Sequence, residues 1–321
     1  MLGRLLVATA AMAPVLCGQT LAQLREEVSE AASSGRYSLF VASIGSLVRD
    51  GEMSSGRFTV DSEPQLSVTD VTLPYRRDFL REDEGPWLRV EATLGYAKVD
   101  TRFADLWSGA FTGFETEVET RYEAFVFDGG IGPTLPLGRG VTLSPLLHGG
   151  ASWLRNEAEF RGPGASFTQA LTEGILFDWE GTYASIGGSL ALRGDPIAWI
   201  GASWSPQLRY DLRRTEGIEV DDPALDADDT TQWMTARLDV TGPLDYEVAG
   251  ASLSWLSGFG YRRWLGQSAE QLQFDDIYEV TVGVSAGGDD ALPLVEAVRF
   301  SVSLLFGDDV QGWSVGFGVT F

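Results

Sequence analysis

Side chains able to do acid–base or nucleophilic chemistry are unevenly supplied in this chain, which has 46 acidic residues but one histidine and one cysteine. A serine nucleophile needs a base within hydrogen-bond reach. The histidine, His148, is followed by Gly149-Gly150, and the nearby Ser152 lies four residues on. In an extended chain that places the two side chains about 13 Å apart, too far for a nucleophile and its base. A rim Asp-His pair is missing too, since Leu147 precedes His148. Acidic residues concentrate in 213–230, where Glu216, Glu219, Asp221, Asp222, Asp226, Asp228 and Asp229 fall together. Asp226-x-Asp228-Asp229 offers oxygen ligands but lacks the glycine and distal glutamate of a calcium loop, so the segment reads as a solvated loop. The expectation is a protein without catalytic residues, cofactor or metal site.

The elements that would carry these residues show a period of two. In 87–96, Leu88, Val90, Ala92, Leu94 and Tyr96 oppose Trp87, Arg89, Glu91, Thr93 and Gly95. Tyr278, Val280, Val282 and Val284 oppose Glu279, Thr281, Gly283 and Ser285, and Val298, Phe300, Val302, Leu304 and Phe306 oppose Arg299, Ser301 and Ser303. Strands with one apolar and one polar face, repeated along a chain, suit a transmembrane β-barrel, where lipid touches one face and the lumen the other. Charge facing lipid is costly, so Arg89, Glu91, Glu279 and Arg299 are expected to face the lumen. His148 shares its parity with Ser144 and Ser152, while Leu147, Ala151 and Trp153 take the other face. It is therefore expected in the lumen as a hydrogen-bonded polar residue.

Twelve strands are expected, near 37–47, 66–75, 87–99, 120–131, 141–153, 180–192, 197–212, 231–241, 249–263, 277–286, 297–306 and 311–321. The first two have the least regular pattern, and 37–47 also suits a helix. Segments after odd strands, except the last at 307–310, are the longer ones, and compact turns such as Pro136-Leu-Gly-Arg-Gly140 follow even strands, as in a barrel with both termini in the periplasm. Trp87, Trp153, Trp199, Trp204, Trp233, Trp255, Trp264 and Trp313 lie near strand ends and are candidates for interfacial girdles. The pairs Arg76-Arg77, Arg213-Arg214 and Arg262-Arg263 are read as rim charges or contacts to lipid phosphates.

Residues 1–22 read as a cleaved secretory signal, with Arg4, an apolar stretch from Leu5 to Leu16, and small residues before a cleavage point after Ala22. That stretch is shorter than the roughly 18–20 residues a spanning helix needs. Residues 23–36 follow as a short linker or plug, and 37–321 as the barrel. The formal net charge of −23 disfavours nucleic acid as a partner. The last residues, Trp313 to Phe321, alternate strictly, with Phe317, Val319 and Phe321 on the apolar face.

Gly129-Gly-Ile-Gly132 leading to Pro136-Leu137, Ile186-Gly-Gly-Ser-Leu190, Tyr261-Arg-Arg-Trp264 and Leu305-Phe-Gly-Asp-Asp-Val-Gln-Gly-Trp-Ser-Val-Gly316, in this order before a terminal aromatic strand, resemble the autotransporter translocator family. The likeness is greatest to its solitary, passenger-less outer-membrane barrels. The resemblance implies an all-β, antiparallel up-and-down barrel in the outer membrane of a Gram-negative bacterium, monomeric, with a structural or pore-type role. It also implies contact with outer-membrane lipid and lipopolysaccharide, and insertion by the barrel-assembly machinery through Phe317, Val319 and Phe321. The alternatives are a narrow porin-like channel for small solutes, or a surface adhesin or enzyme acting through its extracellular loops.

Overall fold

A computed structural model of the protein describes residues 20–34, 37–45, 53–60, 66–79, 85–103, 115–248, 251–266, 269, 272, 274–287 and 297–320. Two helices, α1 (Leu21–Ser34) and α2 (Tyr37–Gly45), precede the first strands, β1 (Met53–Val60), β2 (Leu66–Phe79), β3 (Trp87–Phe103), β4 (Glu117–Gly138) and β5 (Val141–Arg161). Helix α3 (Ala165–Thr172) leads to β6 (Trp179–Gly194), the short β7 (Ile197–Trp199) and β8 (Ala202–Val220). A 3₁₀ turn (Pro223–Leu225) precedes β9 (Asp228–Val248), β10 (Ala251–Leu265), β11 (Asp276–Gly287), β12 (Ala297–Gly307) and β13 (Val310–Thr320). Every pairing between strands is antiparallel, and the sheet closes where β1 meets β13, with Met53 opposite Phe317 and Val60 opposite Val310. Strand β6 pairs with β8 directly, so β7 lies outside a closed ring of 12 strands. Closure leaves the ring itself without an open edge, as a membrane requires of any spanning sheet.

The expected first strand is a helix. Tyr37, Phe40, Val41 and Ile44 recur at helical spacing, and all four are buried on one side of α2. The ring instead begins at β1, within a segment read as loop. Its sequence, MSSGRFTV, has little strand pattern of its own. Pairing with β2 on one side and β13 on the other makes it a strand. The acidic segment 213–230 is a second correction: β8 continues to Val220 and β9 starts at Asp228, leaving only a short connection. Alternation persists there, with Arg213 and Thr215 buried while Arg214 and Glu216 are exposed.

The strands are long for a membrane. About 9–11 tilted residues span a bilayer, whereas β4 has 22, β5 21 and β9 21. The outer face divides accordingly. Toward the end with tight turns such as the Arg139-Gly140 hairpin, where both residues have positive φ as a type I′ turn requires, the exposed residues are apolar. Leu94, Leu147, Ile186 and Leu304 are 54, 64, 61 and 62% exposed. A continuous belt of that kind is satisfied by lipid. Toward the opposite end, which carries α3 and the 3₁₀ turn, the same face becomes an ionic collar. Lys98 and Arg121 both pair with Asp100 at 3.0 Å, Arg102 with Glu117, and Arg161 with Glu119 at 3.3 Å.

Not all the tryptophans lie in the belt. Trp199 and Trp313 are exposed on the outside, but Trp233 and Trp264 are buried within the barrel, where they help fill its helix end. Trp87 shares the inward parity of Arg89.

Candidate functional site: the barrel interior

The inner faces build two layers of opposite character. At the helix end, α2 is buried inside the ring. Phe40 meets Tyr122 of β4 edge-on at 5.4 Å, and Tyr37 meets Trp179 of β6 at 6.3 Å. The Tyr37 hydroxyl donates to the Leu176 carbonyl at 2.7 Å and accepts from the Trp179 indole at 3.1 Å. Burial, with Tyr122 beside it, pushes the Tyr37 phenol well above its usual range, so it remains a neutral donor. Helix α1 lies over this layer. Arg25 donates to the carbonyls of Ala170 and Glu173, each at 2.7 Å, satisfying the end of α3. Ser29 donates to Asp222, which also caps the 3₁₀ turn. Val28, Ala32, Phe103, Val118, Leu176, Phe177 and Leu225 complete an apolar cluster that fills the mouth.

Nearer the turn end the layer is ionic and lies on β2–β6 and β8. Strand β8 presents Arg209, Asp211 and Arg213 inward at alternate positions. Asp211 is fully buried and held by Arg209 at 2.8 Å and Arg213 at 3.3 Å. Arg209 continues to Glu91 at 2.7 Å, which is also bonded by Arg76 at 3.0 Å. Arg89 grips Asp78 with two bonds, at 2.7 and 2.8 Å, and donates to Ser144. Arg213 reaches Asp128 at 3.3 Å. Buried charges persist only when paired and hydrogen-bonded in this way.

His148 sits inside this network. Its Nδ1 is hydrogen-bonded to the Asp128 carboxylate at 2.6 Å, and its Nε2 to the Ser189 hydroxyl at 3.0 Å. Asp128, His148 and Ser189 thus stand in the order of a hydrolase relay. Their surroundings oppose that chemistry. Asp211 lies directly across the β6–β8 pair from Ser189, so an oxyanion forming at Ser189 would face a buried carboxylate. Arg209 Nη2 stands 3.5 Å from the same Nε2. The three residues fill the interior as part of the ionic layer.

The ring of His148 occupies space left by glycine. A Cβ at Gly130, its neighbour on β4, would fall 2.4 Å from His148 Cε1. Gly130→Ala should therefore displace the ring and break its bond to Asp128. We expect a loss of about 1–3 kcal/mol, read as a lower urea midpoint for unfolding of the refolded barrel.

Of the residues singled out by sequence, Arg89, Glu91 and His148 are brought together here, at 4, 7 and 3% exposure. Glu279 is half-buried on β11, where it accepts from Thr281, and Arg299 is exposed on β12. These two lie on the other half of the ring, whose inner face is mostly small, including Gly258, Gly260, Ser301, Ser303 and Ser314. Phe317 is exposed on the outer face of β13, Val319 pairs with Val298 of β12, and Phe321 lies outside the described residues. Sequence reasoning missed Asp78, Asp128, Arg193, Arg209 and Asp211. The alternation of Arg209, Asp211 and Arg213 against Leu208, Tyr210 and Leu212 was the available signal, cut short by ending the strand at 212.

A ring of 12 antiparallel strands around an N-terminal helical segment can be compared with known barrels. The transport unit of the autotransporter AIDA-I from Escherichia coli matches with a TM-score of 0.51 at 10% identity, over 89% of this chain and 98% of that one. The fold is that of an autotransporter translocator. Alongside it, the translocator domain of the autotransporter NalP from Neisseria meningitidis aligns over 92% of this chain and 98% of that one, at 13% identity and a TM-score of 0.49. No family model matches the sequence, and no curated protein does.

Proposed function

We propose that the protein is a monomeric outer-membrane barrel of a Gram-negative bacterium with a pore-type or structural role, closed at the cell surface by its own N-terminal helices. The observation that carries this reading is the burial of Tyr37, Phe40, Val41 and Ile44 of α2 inside the helix end of the ring. Small inner residues on β10, β12 and β13, among them Gly258, Gly260, Ser301, Ser303 and Ser314, put little side-chain bulk into the barrel below the plug, as suits a pore gated at its mouth. The ionic collar projects beyond the apolar belt, so that end faces outward, where lipopolysaccharide phosphates meet its cations directly or through divalent ions. Planar-bilayer conductance of the refolded mature protein, with and without residues 23–45, tests the plug. The intact barrel should be closed and the truncated one should conduct steadily. Equal conductance from both would overturn the reading in favour of an open, small porin.

Export supplies two further parts of the proposal. A signal removed after Ala22 would take with it Thr20, whose hydroxyl and amide form a capping box with Gln23 at 3.3 and 2.8 Å. Arg25 and Ser29 would then hold α1 by tertiary contacts alone. Insertion by the barrel-assembly machinery would use Phe317, Val319 and Phe321 of the closing strand. Deleting Phe321 should lower the amount of heat-modifiable folded barrel in outer membranes several-fold, and an unchanged amount would remove that strand end from the assembly signal.

A further inference from the structure

Within the ionic layer, one guanidinium is only partly satisfied. Arg193, on the inner face of β6 one residue before the strand ends, has its Nε and one terminal nitrogen, Nη2, buried without a hydrogen-bond acceptor among the described residues. Glu91 is the carboxylate that approaches it, at 3.7 Å, and Glu91 is already bonded by Arg76 at 3.0 Å and Arg209 at 2.7 Å. Buried guanidinium donors left unbonded are costly, and such groups in folded proteins usually meet a partner that is part of the working molecule. The immediate surroundings favour a negative partner. Among the described residues, Arg76, Arg89, Arg193 and Arg209 place four positive charges there against the three carboxylates of Asp78, Glu91 and Asp211, in a chain of formal charge −23. The site is also reachable. Arg76 is 40% exposed, Asp78 28% and Arg193 18%, whereas Asp211, deeper in the same layer, is at 0%.

We propose that Arg193, with Arg76 and Arg209 beside it, forms a binding site for a small soluble oxyanion, a carboxylate or phosphate, entering the barrel from the turn end. The planar fork of a guanidinium suits two-point recognition of such groups. Nε and Nη2 are two adjacent donors on one edge of that fork. The anion would sit over that edge, displacing the long contact to Glu91, which keeps its bonds to Arg76 and Arg209. The site lies at the opposite end of the interior from α1 and α2, so it does not depend on whether the helices act as a plug.

The test uses the full chain refolded in zwitterionic detergent, with inorganic phosphate as the probe and chloride at matched ionic strength as the control. A ligand that binds the folded state raises the unfolding midpoint by mass action. Phosphate at about ten times its dissociation constant should raise the midpoint by roughly 2–5 °C. Arg193→Gln should abolish that shift, while Arg214→Gln, on the outer collar, should keep it. The midpoint without phosphate provides the second readout. Removing a guanidinium with unbonded donors should leave it unchanged or raise it. A fall in that midpoint, with no phosphate effect in the unaltered protein, would make Arg193 a structural partner of Glu91 and overturn the proposal. An equal phosphate shift in Arg193→Gln would overturn it as well, assigning the effect to another site. A shift produced by anionic lipid vesicles but not by inorganic phosphate would give the site to a headgroup rather than a soluble anion, against the proposal. None of these outcomes depends on the bilayer currents that test the plug.

Discussion

Barrels carrying Phe40→Asp and Val41→Asp together should change from closed to steadily conducting while remaining folded. Both residues lie within the apolar cluster at the helix end, at 6 and 0% exposure, with Phe40 against Tyr122. An unpaired carboxylate in such a place costs several kcal/mol, whereas burying an apolar side chain contributes about 1.5–3 kcal/mol. Two carboxylates therefore exceed what docking of α2 can supply, and the helix should leave the interior. The ring does not depend on it, because each of its 12 strands keeps both neighbours. The outcome is read in two ways on one sample: single-channel current in planar bilayers, and heat-modifiable mobility to show that the barrel persists. Current that stays absent while the barrel remains folded would mean that the ionic layer alone closes the interior.

Asp211→Ala should be the most destabilising single change in the ionic layer, by about 3–5 kcal/mol. Asp211 is fully buried and accepts from Arg209 at 2.8 and 3.0 Å, with Arg213 at 3.3 Å. Its removal leaves two guanidiniums facing one another with Glu91 and Asp128 as their remaining acidic partners. Replacing the pair, Arg209→Met with Asp211→Leu, should recover part of the loss, because the second buried charge is removed as well. Equilibrium urea unfolding of the refolded proteins measures both. A single variant as stable as the original would show that water reaches this layer freely. That result would also weaken the case for unbonded donors at Arg193.

The two layers differ in how far one sequence could disclose them. Period-two alternation in 87–96, 277–286 and 297–306 assigns inside and outside from single strands, because successive side chains on a strand point to opposite faces whatever their neighbours are. That local rule yields the all-β class and the inward parity of Arg89 and His148, while the ring reaches 12 strands with 53–60 in place of 37–47. It fails where context decides conformation. Residues 37–45 carry an apolar run that suits strand or helix, and burial inside a ring selected the helix. The weakly patterned 53–60 became a strand because β2 and β13 each needed a partner.

The interior itself was decided by tertiary structure. Glu91 and Arg209 are 118 residues apart, and Arg25 reaches carbonyls 145 and 148 residues away. Which inward residues meet depends on the register of each strand pair and on the order of closure, and neither is written in the pattern of any one strand. By itself the sequence determined that this chain presents one apolar and one polar face, and where most of the strands that do so lie. Only the closed ring determined that its polar face binds itself together and that its first helices fill the mouth, because both require groups distant in the chain to be buried against each other.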